Sequence, residues 1–168
     1  MREYNDYVAT TRRWLKNYQS FKVTIENLTD DIDTLAQMNR LDVAAPISKY
    51  GDEPGGGTPE LNNVERSAEK HIQREKWMAE KRQSIETLEL TIRKVDRAIA
   101  NLSDTEARLV KGHFLENLAW DELGAEFGYT EKWARTHGLK AVRLMAEMIF
   151  GPRIVDGGDK QLSFVFAV

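Results

Sequence analysis

The sequence predicts an all-α protein in which two long coiled-coil-like helices precede a three-helix module and a short β-prone tail. Two stretches of the chain place apolar side chains in alternating steps of three and four residues, which is the spacing of a coiled-coil helix. A segment rich in proline and glycine separates the two stretches, and helix-capping residues follow the second. The predicted first helix, loop, second helix, helical module and tail are 1–41, 42–58, 59–101, 102–150 and 151–168.

The composition is that of a charge-rich soluble chain: of 168 residues, 30% are charged and 41% are hydrophobic. There is no cysteine, which excludes disulfides and thiolate metal sites. No apolar run approaches the roughly 18 residues of a transmembrane helix, and the N-terminal stretch lacks the apolar core of a secretory signal. We therefore expect a cytoplasmic protein. Its net charge of −3 gives no overall attraction to nucleic acid, so any DNA binding must use a local basic patch.

The first predicted helix carries a narrow apolar seam. Its positions are Tyr7, Thr11, Trp14, Tyr18, Phe21, Ile25, Leu28, Ile32 and Leu35. A seam sustained over about four heptads predicts one coiled-coil helix from about Glu3 to Leu41. The alternative, a solitary amphipathic helix on a globular core, usually requires a wider apolar face.

The segment after this helix predicts a loop, because residues 42–60 contain three prolines and four glycines. Its three consecutive glycines, 55–57, could be compared with a phosphate-binding loop. No Lys-Ser or Lys-Thr pair follows them and no strand precedes them, so a phosphate site is not expected.

A second long helix is predicted from Pro59 to Asn101, with Thr58 as its N-cap. Its seam is apolar towards the C-terminus, at Ile85, Leu88, Ile92, Val95, Ile99 and Leu102. In the other half the same register is mostly polar, at Ser67, His71, Arg74, Met78 and Lys81, which predicts an exposed half or one that changes partners. The two helices predict an antiparallel hairpin, a dimer through the coiled coils, or both.

The helical module starts with a capping box, Ser103 and Glu106, which predicts a helix from Asp104. Its inner face is predicted to hold Leu109, Val110 and Phe114, its end to fall at Asn117, and a next helix to start near Trp120 and bury Leu123 and Phe127. In the tail, the uncharged LSFVFAV is predicted to pack as a strand or to add to a partner.

The end of the second short helix predicts a helix-turn-helix. Gly124 is small where two helices must cross, and Gly128 falls at the turn, where a left-handed backbone favours glycine. Tyr129 is then predicted to point inward, and Thr130 to cap a third helix that runs to about Phe150.

The stretch LSDTEARLVKGHFLENLAWDELGAEFGYTEKWARTHGLKAVRLM resembles region 4 of sigma-70-type factors, which implies a DNA-binding helix-turn-helix. The rest of the chain lacks anything like the aromatic and basic promoter-melting region of a complete sigma factor. The layout as a whole is similar to phage late-gene transcriptional regulators of the ArpU/RinA type. This similarity implies an activator encoded by a phage or prophage and working in a bacterial host cell.

The chain departs from that pattern in the third helix, where inward positions would normally hold Val, Ile or Leu. Here they hold Ala134 and His137, with Trp133 beside them. Either Trp133 packs inward and the helix is rotated, or Ala134 is inward and Trp133 is a surface aromatic near the DNA backbone.

The residues predicted to contact DNA are Thr130, Lys132, Trp133, Arg135, Thr136, Lys140 and Arg143. Arg135 could pair with guanine in the major groove, while Lys132, Thr136 and Lys140 suit phosphates or base edges, and Arg143 reaches the backbone. From 130 to 150 there are four bases and two acids; from 104 to 129 there are two bases and six acids. This segregation favours DNA contact over the alternative of an ordinary solvated helix face.

The sequence thus predicts a transcriptional regulator that binds double-stranded DNA as a homodimer, with RNA polymerase as a further candidate partner and no membrane. The alternatives are a DNA-packaging adaptor similar to a small terminase subunit, and an interaction protein that does not bind DNA. The three histidines are isolated from other ligands, and no catalytic constellation is apparent, so no metal, cofactor or enzymatic activity is expected.

Overall fold

A computed structural model of the chain describes residues 6–44 and 59–151, with side chains for 6–42 and 65–151. Its α-helices are α1 (Tyr7–Lys16), α2 (Tyr18–Ala44), α3 (Pro59–Ala100), α4 (Asp104–Val110), α5 (Trp120–Glu126) and α6 (Glu131–Phe150). The all-α prediction is confirmed for this part of the chain, in which no helix is both long enough and apolar enough to cross a bilayer. The predicted cap Thr58 and nearly all of the predicted loop and tail lie outside the described residues.

The prediction of one helix from about Glu3 to Leu41 was wrong at its start and in the middle, and close at its end. Asp6 has an extended backbone and its Oδ1 accepts a hydrogen bond from the N–H of Ala9 at 2.9 Å, so it caps a helix that begins at Tyr7. Asn17 interrupts the helix between α1 and α2, and α2 then continues to Ala44. Beside the predicted seam, Leu15 is fully buried, so the buried face of α1 is wider than a coiled-coil seam.

Two compact units make up the chain: unit 1 takes the described parts of Met1–Lys22 and Glu89–Val168, and unit 2 those of Val23–Leu88. In unit 2 the helices pair in antiparallel order. Lys81 Nζ lies 2.7 Å from Asp31 Oδ2, Asn39 Nδ2 donates to Glu75 Oε1 at 3.0 Å, and Arg74 pairs with Asp42. Residue numbers on α3 fall as those on α2 rise, so α2 and α3 form an antiparallel pair within one chain.

These contacts also explain the polar half of the α3 seam. Arg74 and Lys81 are half-buried and bind carboxylates of α2, and Met78 between them is only 2% exposed. The Arg74 guanidinium, which donates to the Asp42 carboxylate, lowers the pKa of that carboxyl below its ordinary value. Arg74 and Lys81 therefore have partners on α2 and Met78 is buried, whereas Ser67 and His71 at the start of this half are exposed, and the homodimer stays a prediction.

In unit 1 the first helix packs against the last. The Phe150 ring lies 4.7 Å from the Tyr7 ring and 5.3 Å from the Trp14 ring, measured between centroids. The core of unit 1 combines residues of α1, the start of α2, the end of α3, α4 and α6: Leu15, Tyr18, Val95, Ala98, Ile99, Val110, Phe114, Ala141, Val142 and Met145. The helical module is thus supported by a chain segment more than 80 residues away in sequence.

The predicted capping box of α4 is confirmed: the Glu106 N–H donates to Ser103 Oγ at 3.4 Å, and the Ser103 N–H donates to Glu106 Oε2 at 3.1 Å. Leu109 is fully buried on the inner face, as predicted. After α4 the chain widens into one π turn, in which the Glu116 N–H donates to the Lys111 carbonyl at 3.0 Å. Asn117 then takes a left-handed backbone, with φ of 59°, and ends the helical run where the sequence predicted.

Candidate nucleic-acid interface

The crossing of α5 and α6 depends on Gly124. A Cβ at this position would lie 2.8 Å from the Thr130 carbonyl oxygen, and the Gly124 carbonyl accepts the Tyr129 N–H at 2.8 Å. Gly128 has φ of +74°, which glycine adopts without strain. Both glycines therefore have the roles predicted from the sequence, one for a close backbone approach and one for the turn.

The start of α6 is also as predicted. Thr130 has an extended backbone, and its Oγ1 accepts a hydrogen bond from the Trp133 N–H at 3.3 Å. Ala134 is fully buried, which decides between the two orientations left open by the sequence. The prediction that His137 is the next inward position was wrong, because His137 is exposed and Gly138 is buried in its place. The buried face continues along the helix through Gly138, Ala141, Val142, Met145 and Ala146.

The prediction that Tyr129 points inward was wrong, because Tyr129 is 57% exposed. Its ring stacks on Trp133 with 4.1 Å between centroids, and Trp133 in turn stacks on His137 at 4.4 Å. Trp133 is half-buried and its other neighbours include Phe127, at 6.1 Å. An aromatic stack of Tyr129, Trp133 and His137 therefore runs along one side of α6, and stacking on Trp133 replaces the burial that the sequence predicted for Tyr129.

A basic face lies beside this stack. Lys132, Arg135, Thr136 and Lys140 are all exposed on α6. Within the described part of the chain, no carboxylate forms an ion pair with Lys132, Arg135 or Lys140. Thr136 Oγ1 donates to the Lys132 carbonyl at 2.7 Å, and Arg143 Nε lies 3.7 Å from Glu147 Oε1. Three cationic groups of the basic face are thus available to an external anion, whereas Arg143 has an intramolecular carboxylate partner.

Two carboxylates of α5, those of Glu122 and Glu126, form hydrogen bonds within the protein. Arg108 on α4 lies 2.8 Å from Glu126 Oε1 and 2.7 Å from Glu116 Oε2, so one guanidinium joins two carboxylates. Its hydrogen bonds lower the pKa of Glu126, and the two carboxylates raise the pKa of Arg108. Glu122 Oε2 accepts the Ala119 N–H at 2.8 Å at the start of α5. These roles were not predicted from the sequence, since a charge count does not reveal which acids are already paired.

Two stacked rings, those of His113 and Trp120, pack against Gly138 of α6. His113 and Trp120 stack with 3.8 Å between ring centroids, and His113 Nδ1 lies 2.9 Å from the Leu118 carbonyl oxygen, to which it donates. The other end of the indole reaches Gly138, where a Cβ would lie 2.5 Å from Trp120 Cζ3. A glycine inside a helical pattern was the available signal for this contact, and the sequence analysis passed over it.

The described residues contain no group of three or more His, Asp or Glu side chains arranged to hold a metal ion. Comparison of the chain with protein-family models, with curated proteins and with solved structures finds no match. The arrangement that remains for chemistry is an exposed helix with a basic face, suited to binding a polyanion.

Proposed function

We propose that this chain is a DNA-binding protein that places α6 in the major groove of double-stranded DNA. The observation that carries the proposal is the set of three cationic side chains, Lys132, Arg135 and Lys140, that form no ion pair with the described residues and lie on the exposed side of a helix whose opposite side is buried. Within that class we propose a sequence-specific transcriptional regulator, an activator of phage or prophage genes, because the module resembles region 4 of sigma-70-type factors.

The dimensions favour this placement. A major groove about 12 Å wide admits one α-helix, whose diameter with side chains is about 10–12 Å. The rigid fork of Arg135 is suited to a guanine edge, and Lys132, Thr136 and Lys140 to phosphates or base edges. Thr130 and Trp133 lie at the start of α6. Arg143 would contact the DNA backbone only if a phosphate replaced Glu147 as its partner.

Local charge makes such binding feasible despite a net charge of −3. In the neighbouring α4–α5 region the Arg108 guanidinium is paired with two carboxylates, those of Glu116 and Glu126, so this cluster has a net charge of about −1 and adds no positive charge to the surface. The positive potential is therefore concentrated on α6, where the polyanion would dock.

The partners of the proposed regulator are DNA, a second copy of the chain and RNA polymerase. The candidate surface for a polymerase contact is the acidic set Asp121, Glu122 and Glu126 on α5. Because Glu126 binds Arg108 and Glu122 caps α5, Asp121 is the member of that set without a local structural task in the described residues.

A packaging adaptor would use the same DNA-binding helix in a ring of subunits, and sedimentation distinguishes a dimer from a ring.

The proposal is tested by a gel shift with duplex DNA from upstream of the neighbouring operon. Arg135→Ala is expected to weaken specific binding by about 1–3 kcal/mol and to relax one base position. Lys140→Ala is expected to weaken binding to all sequences and to reduce the salt slope by about one.

Lys111→Ala is the matched control, because Lys111 is an exposed base in the same unit but lies outside the basic face. It is expected to bind like the parent. Equal affinities of the parent and of Arg135→Ala for the bound duplex would show that the recognition face is assigned wrongly. Absence of duplex binding by the folded parent protein would exclude the proposed function.

A further inference from the structure

One ring nitrogen of His137, Nδ1, forms a hydrogen bond within α6, and the other, Nε2, forms none with the described residues. Its Nδ1 lies 2.9 Å from the Trp133 carbonyl oxygen, one turn back along α6. A carbonyl oxygen can only accept, so Nδ1 must carry the hydrogen of this bond. In the neutral imidazole the remaining nitrogen, Nε2, is then an acceptor without a hydrogen, and it becomes a donor only when the ring is protonated.

The position of His137 determines which DNA group its ring would meet. At 3.6 residues per turn, His137 lies roughly 60° around the helix beyond Lys140, which is the edge of the basic face on that side. A helix that fills the major groove turns its central positions to the base edges and its flanks to the sugar–phosphate walls. In that placement His137 would face phosphate oxygens, which accept hydrogen bonds and therefore cannot bond to an Nε2 that carries no hydrogen.

We propose that His137 contacts a DNA phosphate through Nε2 and does so only as the imidazolium, so that duplex binding takes up one proton for each α6 that docks. The inference rests on the proposed function. It adds His137 as a residue that contacts DNA, and it adds the uptake of a proton on binding. The Trp133 ring, stacked 4.4 Å from His137, keeps the imidazole in place before binding.

Two titratable groups lie on the same side of α6 as His137. Lys140, three residues further along α6, and the phenol of Tyr129, at the other end of the aromatic stack, are the titratable groups on its side of the helix. α1, α4 and α5 pack against α6, and within the described residues none of their acids or bases forms a hydrogen bond or ion pair with His137. The proton is thus stabilised by the phosphate itself rather than by a carboxylate of the protein.

The test measures the dissociation constant of the full chain for a labelled mixed-sequence DNA duplex at constant ionic strength, between about pH 6 and about pH 8. A mixed-sequence duplex is a sufficient probe because phosphate contacts do not depend on sequence. The parent is expected to lose up to about tenfold in affinity per pH unit on the alkaline side, the limit for one linked proton. His137→Gln, which keeps a neutral donor, is expected to bind with a nearly flat pH profile.

His71→Gln is the matched control, since it removes an exposed imidazole from α3 in the other unit, and it is expected to keep the slope of the parent. A flat profile for the parent, or a His137→Gln profile as steep as that of the parent, would overturn the inference. If Arg135→Ala still weakens binding in that case, the proposed function stands without it. Failure of the folded parent to bind the duplex at any pH would overturn both.

Discussion

The indole ring of Trp120, at the start of α5, lies directly against the backbone of Gly138 in the middle of α6. A Cβ at position 138 would lie 2.5 Å from Cζ3 of the ring. The ring cannot easily retreat, because its stack with His113 holds it at 3.8 Å between centroids. The close approach of α5 to α6 at this point therefore depends on position 138 carrying no Cβ.

Gly138→Ala is expected to destabilise the protein by about 1–2 kcal/mol, although alanine favours an isolated helix over glycine by about 1 kcal/mol. The overpacking against Trp120 outweighs the gain in helix propensity. Urea unfolding followed by circular dichroism measures the change. In the Trp120→Phe background, where the smaller ring leaves space, the same substitution is expected to be nearly neutral. A stabilising Gly138→Ala in the parent would show that the ring moves freely.

Gly124 and Gly128 are expected to differ in their tolerance of alanine. At Gly124 a Cβ would meet the Thr130 carbonyl oxygen at 2.8 Å, and a backbone atom cannot rotate away, so we expect a loss of about 3 kcal/mol. At Gly128 a Cβ would meet nothing within 4 Å, and the loss comes from the left-handed backbone alone, about 1–2 kcal/mol. Urea midpoints in the reverse order would contradict the close crossing of α5 and α6.

Replacing Arg108 with Gln is expected to lower the melting temperature at neutral pH and to leave it unchanged in strong acid. The pKa of Glu126 is lowered in the folded state from an ordinary value of 4.5 by its hydrogen bonds with Arg108. This contribution to stability is present above pH 4.5 and is lost as the pH falls through the lowered pKa. The pair is exposed, so the effect is small and decreases with salt.

Melting curves of the parent and of Arg108→Gln from neutral to acid pH measure this difference. Arg93→Gln, on an exposed position of α3, is a matched control because no ion pair of Arg93 occurs among the described residues. A difference between parent and Arg108→Gln that persists unchanged in strong acid would show that Arg108 stabilises the fold through packing instead.

Tyr18 is expected to make stability sensitive to alkali. Burial, and then the hydrogen bond of its hydroxyl to Asp96 Oδ1 at 2.6 Å, raise its pKa from 10.0 to about 12. The folded state keeps the phenol protonated while the unfolded state ionises, so the contribution of Tyr18 is complete below pH 10 and is lost as the pH rises towards 12. Tyr18→Phe is expected to lose about 1–2 kcal/mol at neutral pH.

The free energies of unfolding of the parent and of Tyr18→Phe should therefore converge between pH 10 and 12. Denaturant titrations across that range measure the convergence. A constant difference would mean that Tyr18 ionises equally in both states, which its bond to Asp96 argues against.

The sequence by itself determined that the described chain is helical, that Ser103 and Thr130 cap helices and that Gly128 forms the turn. The three-four spacing depends only on helix periodicity, and the capping box at Ser103, the cap at Thr130 and the left-handed glycine at 128 depend on neighbouring backbone groups. Such local features can be predicted because the interacting groups are only a few residues apart. The basic residues of α6 were found for the same reason, as a pattern on one helix.

Tertiary structure alone decided which of those surface residues have partners. Tyr129 is exposed because Trp133 offers a stacking surface, and Glu126 is paired because α4 brings Arg108 to it across 18 residues. The packing of Tyr7 on Phe150 joins the two ends of the described chain, and no local pattern encodes such a contact. Periodicity fixes which face of a helix is apolar, but the burial and pairing of each side chain depend on the groups that distant segments bring to that face.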